Sequence, residues 1–374
     1  MSDVDVIERP VPAPTTSAPR ITRARLRPST IASTLVVIAA LALPIYQGGT
    51  VLQTGLFVMA SAVAAIGLNI LSGTAGQLSL GHGFFVAIGA YAYAMTAGDP
   101  ERANGAYTAL GWPPLLSAVF AVLCAGALGA AFSLVAGRVR GIYLAVASLG
   151  LVFVGIHVLT TMADQTGGFS GLAVPAFDLA GLRFDDEQTQ LSIAGVPFGR
   201  LELLWYLFLI VLVCSAVLAQ RWVSGREGRA LVMVRDSEIG ASVMGVNVQR
   251  AKAKAFTVSS MYAGLGGVML ALAYGFIVPE NFGLTLSIQF VAMIIIGGMG
   301  SVRGAIIGAT FVTGLTQALP VITASMDFLA QPGGDGVTAG MLARLIYGAL
   351  VVVCAMYLTR GLVSLPDLMR PSRR

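Results

Sequence analysis

Residues 67–94 read GLNILSGTAGQLSLGHGFFVAIGAYAYA, and this stretch decides how the rest of the chain is organised. It sits inside residues 28–98, which contain no Lys, Arg, Asp or Glu, so it belongs at membrane depth. Its middle, residues 72–83, is crowded with Gly and small polar residues and carries Gln77 and His82. Such a composition makes a poor lipid-facing helix. Broken backbone inside a bilayer is tolerated only where protein or a water-filled cavity satisfies its polar groups. The stretch therefore predicts two apolar helices joined by a break that faces a protein-lined path.

The whole chain agrees with that placement. Of its 374 residues 56% are hydrophobic and 11% charged, against roughly 25% charged in a soluble domain. Apolar segments of about 20 residues between short polar ones predict an all-α polytopic membrane protein. Forty-five glycines suit that class, because small residues let helices approach closely where lipid supplies no hydrophobic drive. The net charge of +5 reads as a topology signal, with nucleic acid excluded as a partner. Cys124, Cys214 and Cys354 lie in apolar runs and are odd in number, which argues for packing residues and against a disulfide framework.

Outward from the opening stretch, apolar segments fall at residues 31–46, 51–71, 84–97, 114–136, 141–162, 201–220, 255–276, 284–296, 304–326 and 341–359. That predicts about ten transmembrane helices, several short or interrupted by Gly. With both termini inside, the basic clusters at residues 20–27, 138–140, 221–254, 303 and 360–374 all fall on the cytoplasmic side, as the positive-inside rule requires. Residues 1–29 read as a disordered cytoplasmic tail and residues 30–362 as the membrane domain. Within it, residues 164–200 form an extracytoplasmic segment and residues 221–254 an amphipathic cytoplasmic one suited to a membrane surface or a partner's groove. Residues 363–374 make a basic cytoplasmic tail. A second Gly-rich run, GGMGSVRGAIIG at residues 297–308, pairs with the first break, and paired interruptions of this kind point to a transporter with inverted repeats.

Catalytic chemistry is missing from the sequence. His82 and His157 are its two histidines, far apart and without metal-spaced partners. It has no GxxxxGK[ST] phosphate loop, so neither a metal nor a nucleotide is expected in this chain. The span interiors hold essentially no charge, which weakens an ion-coupled mechanism. Asn69, Gln77, Ser79 and His82 are candidates for lining the path, against the plainer role of interhelical hydrogen bonding. Thr166, Gly167 and Gly168 in TGGFSGL, residues 166–172, are candidates for a gate or docking element, or an ordinary turn. Gly300, Gly304 and Gly308 form a small-xxx-small packing row, and His157 reads as a packing residue.

These residues carry a resemblance. NILSGTAGQLSLGHGFFVAIGAYAYA is similar to the GQxSLGHxxFxxIGAY motif of permease subunits of branched-chain amino-acid ABC importers, the LivM type. The resemblance continues through RGIYLAVASLGLVF (140–153), TGGFSGL, GRALVMVRDSEIGASVMGVNVQRAKAKAFTVSSMYAGLGG (228–267), IIIGGMGSVRGAIIGA (294–309) and ARLIYGALVVVCAMYLTRGL (343–362).

It implies a bacterial inner-membrane permease that works by alternating access with a second, related permease subunit. Two cytoplasmic ATPase subunits would bind the ATP and Mg, and an extracytoplasmic substrate-binding protein would deliver substrate. It also implies a coupling helix over residues 236–245. There Arg235, Asp236, Glu238 and Gly245 match the family pattern, and Ile239, Val243 and Met244 would fill an apolar cleft of the ATPase. Gly240 departs from that pattern. Permeases for urea, amides or sugars in the same superfamily, and a stand-alone secondary transporter, remain alternatives.

Overall fold

A computed structural model describes residues 39–44, 46, 48–98, 109–139, 141–179, 182–184, 191–193, 196–324, 338–357 and 361–364. The chain divides into a short unit, Met1–Leu43, and a second unit, Pro44–Arg374. Of the first, residues 39–43 are described and helical; the elements that follow all belong to the second. The expected tail at residues 1–29, all but residues 363–364 of the one at 363–374, and most of the first expected span lie outside the described residues.

The apolar segments fold as helices: α1 (Gly49–Leu68), α2 (His82–Ala97), α3 (Pro114–Ala136), α4 (Ile142–Thr161) and α5 (Arg200–Ser224) come first. Two short polar helices follow, α6 (Arg226–Asp236) and α7 (Glu238–Val243), and then α8 (Val248–Tyr274), α9 (Leu284–Gly297), α10 (Val302–Ala324) and α11 (Ala339–Tyr357). Local chemistry sets their ends. Pro114 opens α3, where a missing N–H costs nothing. The Gly199 amide donates to Glu202 Oε2 at 2.8 Å ahead of α5, and the Arg250 amide donates to Asn247 Oδ1 at 3.0 Å to cap α8.

Among the described residues seven helices are long and apolar enough to cross a membrane, and the protein is a polytopic all-α membrane protein. Ten spans were expected, and the difference has a physical basis. The first lies mostly outside the described residues. In α11 the apolar stretch is the short one, Arg344–Cys354. The helix α2 has 16 residues, about 24 Å at 1.5 Å per residue, which falls short of the ~30 Å hydrocarbon core.

Two helices form the centre. Within the apolar 18-residue stretch of each helix, 83% of residues are buried in Gly49–Thr74 and 72% in Val248–Tyr274, against 28% in Pro114–Ala136 and Arg200–Ser224. The central helix α8 packs on α1, α2 and α3, and α1 also packs on α5 and α10. Glycine makes the close crossings possible: a Cβ on Gly89 would overlap the backbone of Gly264 where α2 meets α8. The expected row on α10 has the same use, since Gly304 and Gly308 lie against Gly297 of α9. Outer faces remain apolar and exposed, as on α4 at Tyr143, Phe153 and Val154. His157 lies on that exposed face, contrary to its expected packing role, and Cys214 is likewise exposed.

Extended structure is limited to short pairs. Leu172–Ala173 pairs antiparallel with Phe276–Ile277, tying the segment after α4 to the end of α8. Two small hairpins, Asp178–Leu179 with Leu182–Arg183 and Leu191–Ile193 with Val196–Phe198, precede α5.

Candidate functional site

The last turn of α1 widens into a π-helix, Asn69–Thr74, whose residues are all buried. Bonds of the wider kind hold it: the Ala75 amide donates to Ile70 O at 3.2 Å and the Gln77 amide to Leu71 O at 3.1 Å. The chain then runs without helix over residues 75–81 until α2 begins at His82. Gly, Ser and Thr supply neither helix propensity nor apolar surface here, so the helix stops inside the protein and its polar groups must be met there.

Distant side chains meet them. The Leu80 amide donates to Ser148 Oγ at 2.9 Å from α4, and the Gly83 amide to Ser287 Oγ at 3.0 Å from α9. Ser72 Oγ donates to Gln77 O at 2.9 Å. The Gly300 amide donates to Asn69 Oδ1 at 2.8 Å, which joins the first Gly-rich break to the second. The imidazole of His82 lies 2.8 Å from Ala64 O through Nε2. A carbonyl only accepts, so Nε2 carries the proton. The ring meets Phe290 edge-on at 5.3 Å between centroids.

The four pathway candidates thus occupy different positions. Asn69, Ser79 and His82 are buried and make intramolecular hydrogen bonds; Ser79 Oγ accepts from the Gly81 amide at 3.3 Å. Gln77 is buried at 6% exposure, and both its amide oxygen and its amide nitrogen lack an intramolecular partner. The hydroxyls of Tyr91 and Tyr93 on α2 and of Ser259 and Ser260 on α8 share that condition. Sequence reasoning missed these four, and it also missed Ser148 and Ser287. Their signal was an isolated hydroxyl on an apolar helix, which does not say which face it lies on.

At the far end of α4, Thr166 Oγ1 donates to Leu159 O at 2.5 Å and accepts from the Gly168 amide at 3.3 Å. Gly167, Gly168 and Gly171 follow with φ of 72°, 50° and 76°. The TGGFSGL turn is therefore a defined structure fixed to α8 through residues 172–173, with Phe169 exposed beside it.

The polar segment between α5 and α8 is two-faced. Leu231, Val234 and Ala241 are buried in a cluster with Leu71, Ala75, Leu144, Ala255 and Phe256, which seats α6 and α7 on the membrane core. The opposite face presents Ile239, Val243 and Met244 at 78%, 81% and 78% exposure. Ser237 caps α7 by accepting from the Gly240 amide at 3.0 Å, and Gly245, at φ 81°, turns the chain away after it. The expected single helix over residues 236–245 is thus α7 with a separate end of α6. Glu238 turns inward to Lys252 of α8 at 2.6 Å, and Lys254 pairs with Glu227 at 2.7 Å. Asp236 faces solvent beside Arg235 Nε at 3.2 Å. Arg235 also reaches the break, donating from Nη1 to Gly73 O at 3.1 Å.

Among the described residues no cluster of His, Cys, Asp or Glu is fit to hold a metal. The arrangement can hold a broken helix, with the Arg235 guanidinium at its edge, and offer an apolar helix to a partner.

Known proteins with this chain's features are transport permeases. A family model described as the permease component of branched-chain amino acid transport systems matches residues 50–355. The chain is 30% identical to the high-affinity branched-chain amino acid transport system permease protein LivM of Escherichia coli K12 over 308 residues, 78% of this chain and 70% of LivM. LivM of Salmonella typhimurium is 32% identical over 257 residues, 66% of this chain and 58% of that protein. LivH of Escherichia coli K12 is 27% identical over 310 residues, 82% of this chain and 92% of LivH. No solved structure matches. The family match runs from the first turn of α1 into the last of α11 and takes in both Gly-rich breaks and the α6–α7 segment, so the chain belongs to the branched-chain amino acid transport system permease family.

Proposed function

We propose that this chain is the permease subunit of an ATP-driven importer that moves branched-chain or similar hydrophobic amino acids across the bacterial inner membrane. The observation that carries the proposal is α7, where an exposed Ile239, Val243 and Met244 ride on a segment clamped to the membrane core. A chain with no phosphate loop of its own needs such a face to receive work from an ATPase. In this reading two cytoplasmic ATPase subunits bind ATP and Mg, seat α7 in an apolar cleft, and move α6 and α7 with each cycle. A second, related permease completes the path, an extracytoplasmic binding protein supplies substrate, and both termini are cytoplasmic.

The path runs beside the break. Asn69, Ser79 and His82 hold its shape through their own hydrogen bonds, and Gln77, whose buried amide is free, meets the substrate. A zwitterionic amino acid suits a path with few membrane charges, because half-helix ends supply partial charge to its carboxylate and ammonium. The rigid TGGFSGL turn with Thr166, Gly167 and Gly168 serves as a gate or as a seat for the binding protein. Labelled leucine uptake into proteoliposomes holding the complete complex tests the proposal. Uptake should require ATP and the binding protein together; uptake driven by an ion gradient without ATP would overturn it in favour of a secondary transporter.

A further inference from the structure

The π-helix Asn69–Thr74 is gripped from two sides, and one grip comes from the segment that carries α7. A π-turn is rare, marks functional sites, and differs from an α-turn by one residue of register. Its closing carbonyls lack helical partners. Gly73 O accepts from Arg235 Nη1 at 3.1 Å. Gly76, at φ 69°, lies beneath the same side chain, so close that a Cβ there would come within 2.5 Å of Arg235 Cγ. From the other side the Gly300 amide bonds Asn69 Oδ1 at 2.8 Å, and Gly73 packs directly on the Gly300 backbone.

Arg235 closes α6, and Ile239 on the exposed face of α7 stands just beyond it. Bonds from Lys252 to Glu238 and from Lys254 to Glu227 tie α6 and α7 to α8. The Arg235 side chain is 42% exposed, so water can replace Gly73 O as its partner and the bond can break and reform within a cycle.

From this geometry we infer that Arg235 is a positioning residue that couples α7 to the membrane path by latching the π-turn through Gly73 O. Displacing α7 pulls or releases that carbonyl, the π-turn changes register, and the shift passes through Asn69 to the loop between α9 and α10. The inference rests on the importer reading above and gives Arg235 a role distinct from contact with the ATPase.

The test uses the complete importer in proteoliposomes, with ATP hydrolysis and leucine uptake measured on one preparation. Arg235→Ala should retain the ATPase subunits and their hydrolysis, while uptake per ATP falls about tenfold or more, the size expected of a coupling between sites. Arg235→Lys, which keeps a donor and the charge, should recover part of the ratio. Arg235→Gln, which keeps a shorter, neutral donor, should fall between the alanine variant and the wild type. Loss of the ATPase subunits, or parallel loss of hydrolysis and uptake, would overturn the latch in favour of a docking contact. An unchanged ratio would overturn it outright, and where Arg235→Ala fails to fold into the membrane, the ratio in the other two variants decides. Absence of ATP-dependent uptake in the wild type would instead defeat the importer reading.

Discussion

The apolar face of α7 gives the most direct prediction. Ile239, Val243 and Met244 are about four-fifths exposed in this chain, so replacing all three with Ala removes almost nothing from its own packing. The stability of the isolated permease should stay within about 0.5 kcal/mol, as for surface substitutions elsewhere. Docking is a different matter. Full burial of an aliphatic side chain contributes about 1.5–3 kcal/mol, and Ala retains part of that. The three together should therefore weaken ATPase binding by roughly 3–6 kcal/mol, about 10²–10⁴-fold in Kd. Titrating the purified ATPase onto the permease in nanodiscs measures Kd, and thermal unfolding of the same variant checks the fold. An unchanged Kd would refute the docking face. Glu238 is a poor site for this experiment, since its charge is already committed to Lys252 within the chain.

That commitment predicts a stability difference. Glu238→Gln leaves Lys252, 7% exposed, without its counter-charge and should cost about 3–5 kcal/mol. Glu227→Gln breaks an exposed pair with Lys254 and should cost under about 1 kcal/mol; thermal unfolding in detergent compares the two. Asn69→Ala strips the Gly300 amide of its acceptor and should destabilise by about 1–3 kcal/mol in thermal unfolding. Gln77→Leu removes a buried amide that has no partner, so unfolding temperature should hold or rise while leucine uptake falls about tenfold, the scale of one lost hydrogen bond to a charged group. A drop in both would make Gln77 a structural residue.

The break and the helices around it were legible because their cause is local. A run of Gly, Ser and Thr between apolar segments ends a helix wherever it occurs, and the observed interruption, residues 69–81, overlaps the expected one at residues 72–83. The segment 114–136 matches α3 end for end. The segment expected at residues 84–97 was short and its helix is short too, 16 residues in α2, whereas the span expected at residues 341–359 holds its apolar stretch in Arg344–Cys354 alone. The α6–α7 segment was recognisable as two-faced, but its charged residues looked alike.

By itself, then, the sequence determined the membrane class, the helical content and the position of the break. Each of these follows from composition and spacing along the chain. Only the tertiary structure decided which polar groups are spoken for. Ser148 and Ser287 reach the break from positions 68 and 204 residues away from their partners, and Arg235 spans 162 residues to Gly73. Glu238 and Asp236 are near neighbours of the same charge, yet one turns to Lys252 and the other to solvent. The physical reason is that a hydrogen bond or ion pair depends on what packs opposite. In a bundle of helices that neighbour comes from a remote part of the chain. Residues 67–94 therefore announce a broken helix, and the fold around them brings Arg235, next to α7, within 3.1 Å of its Gly73 carbonyl.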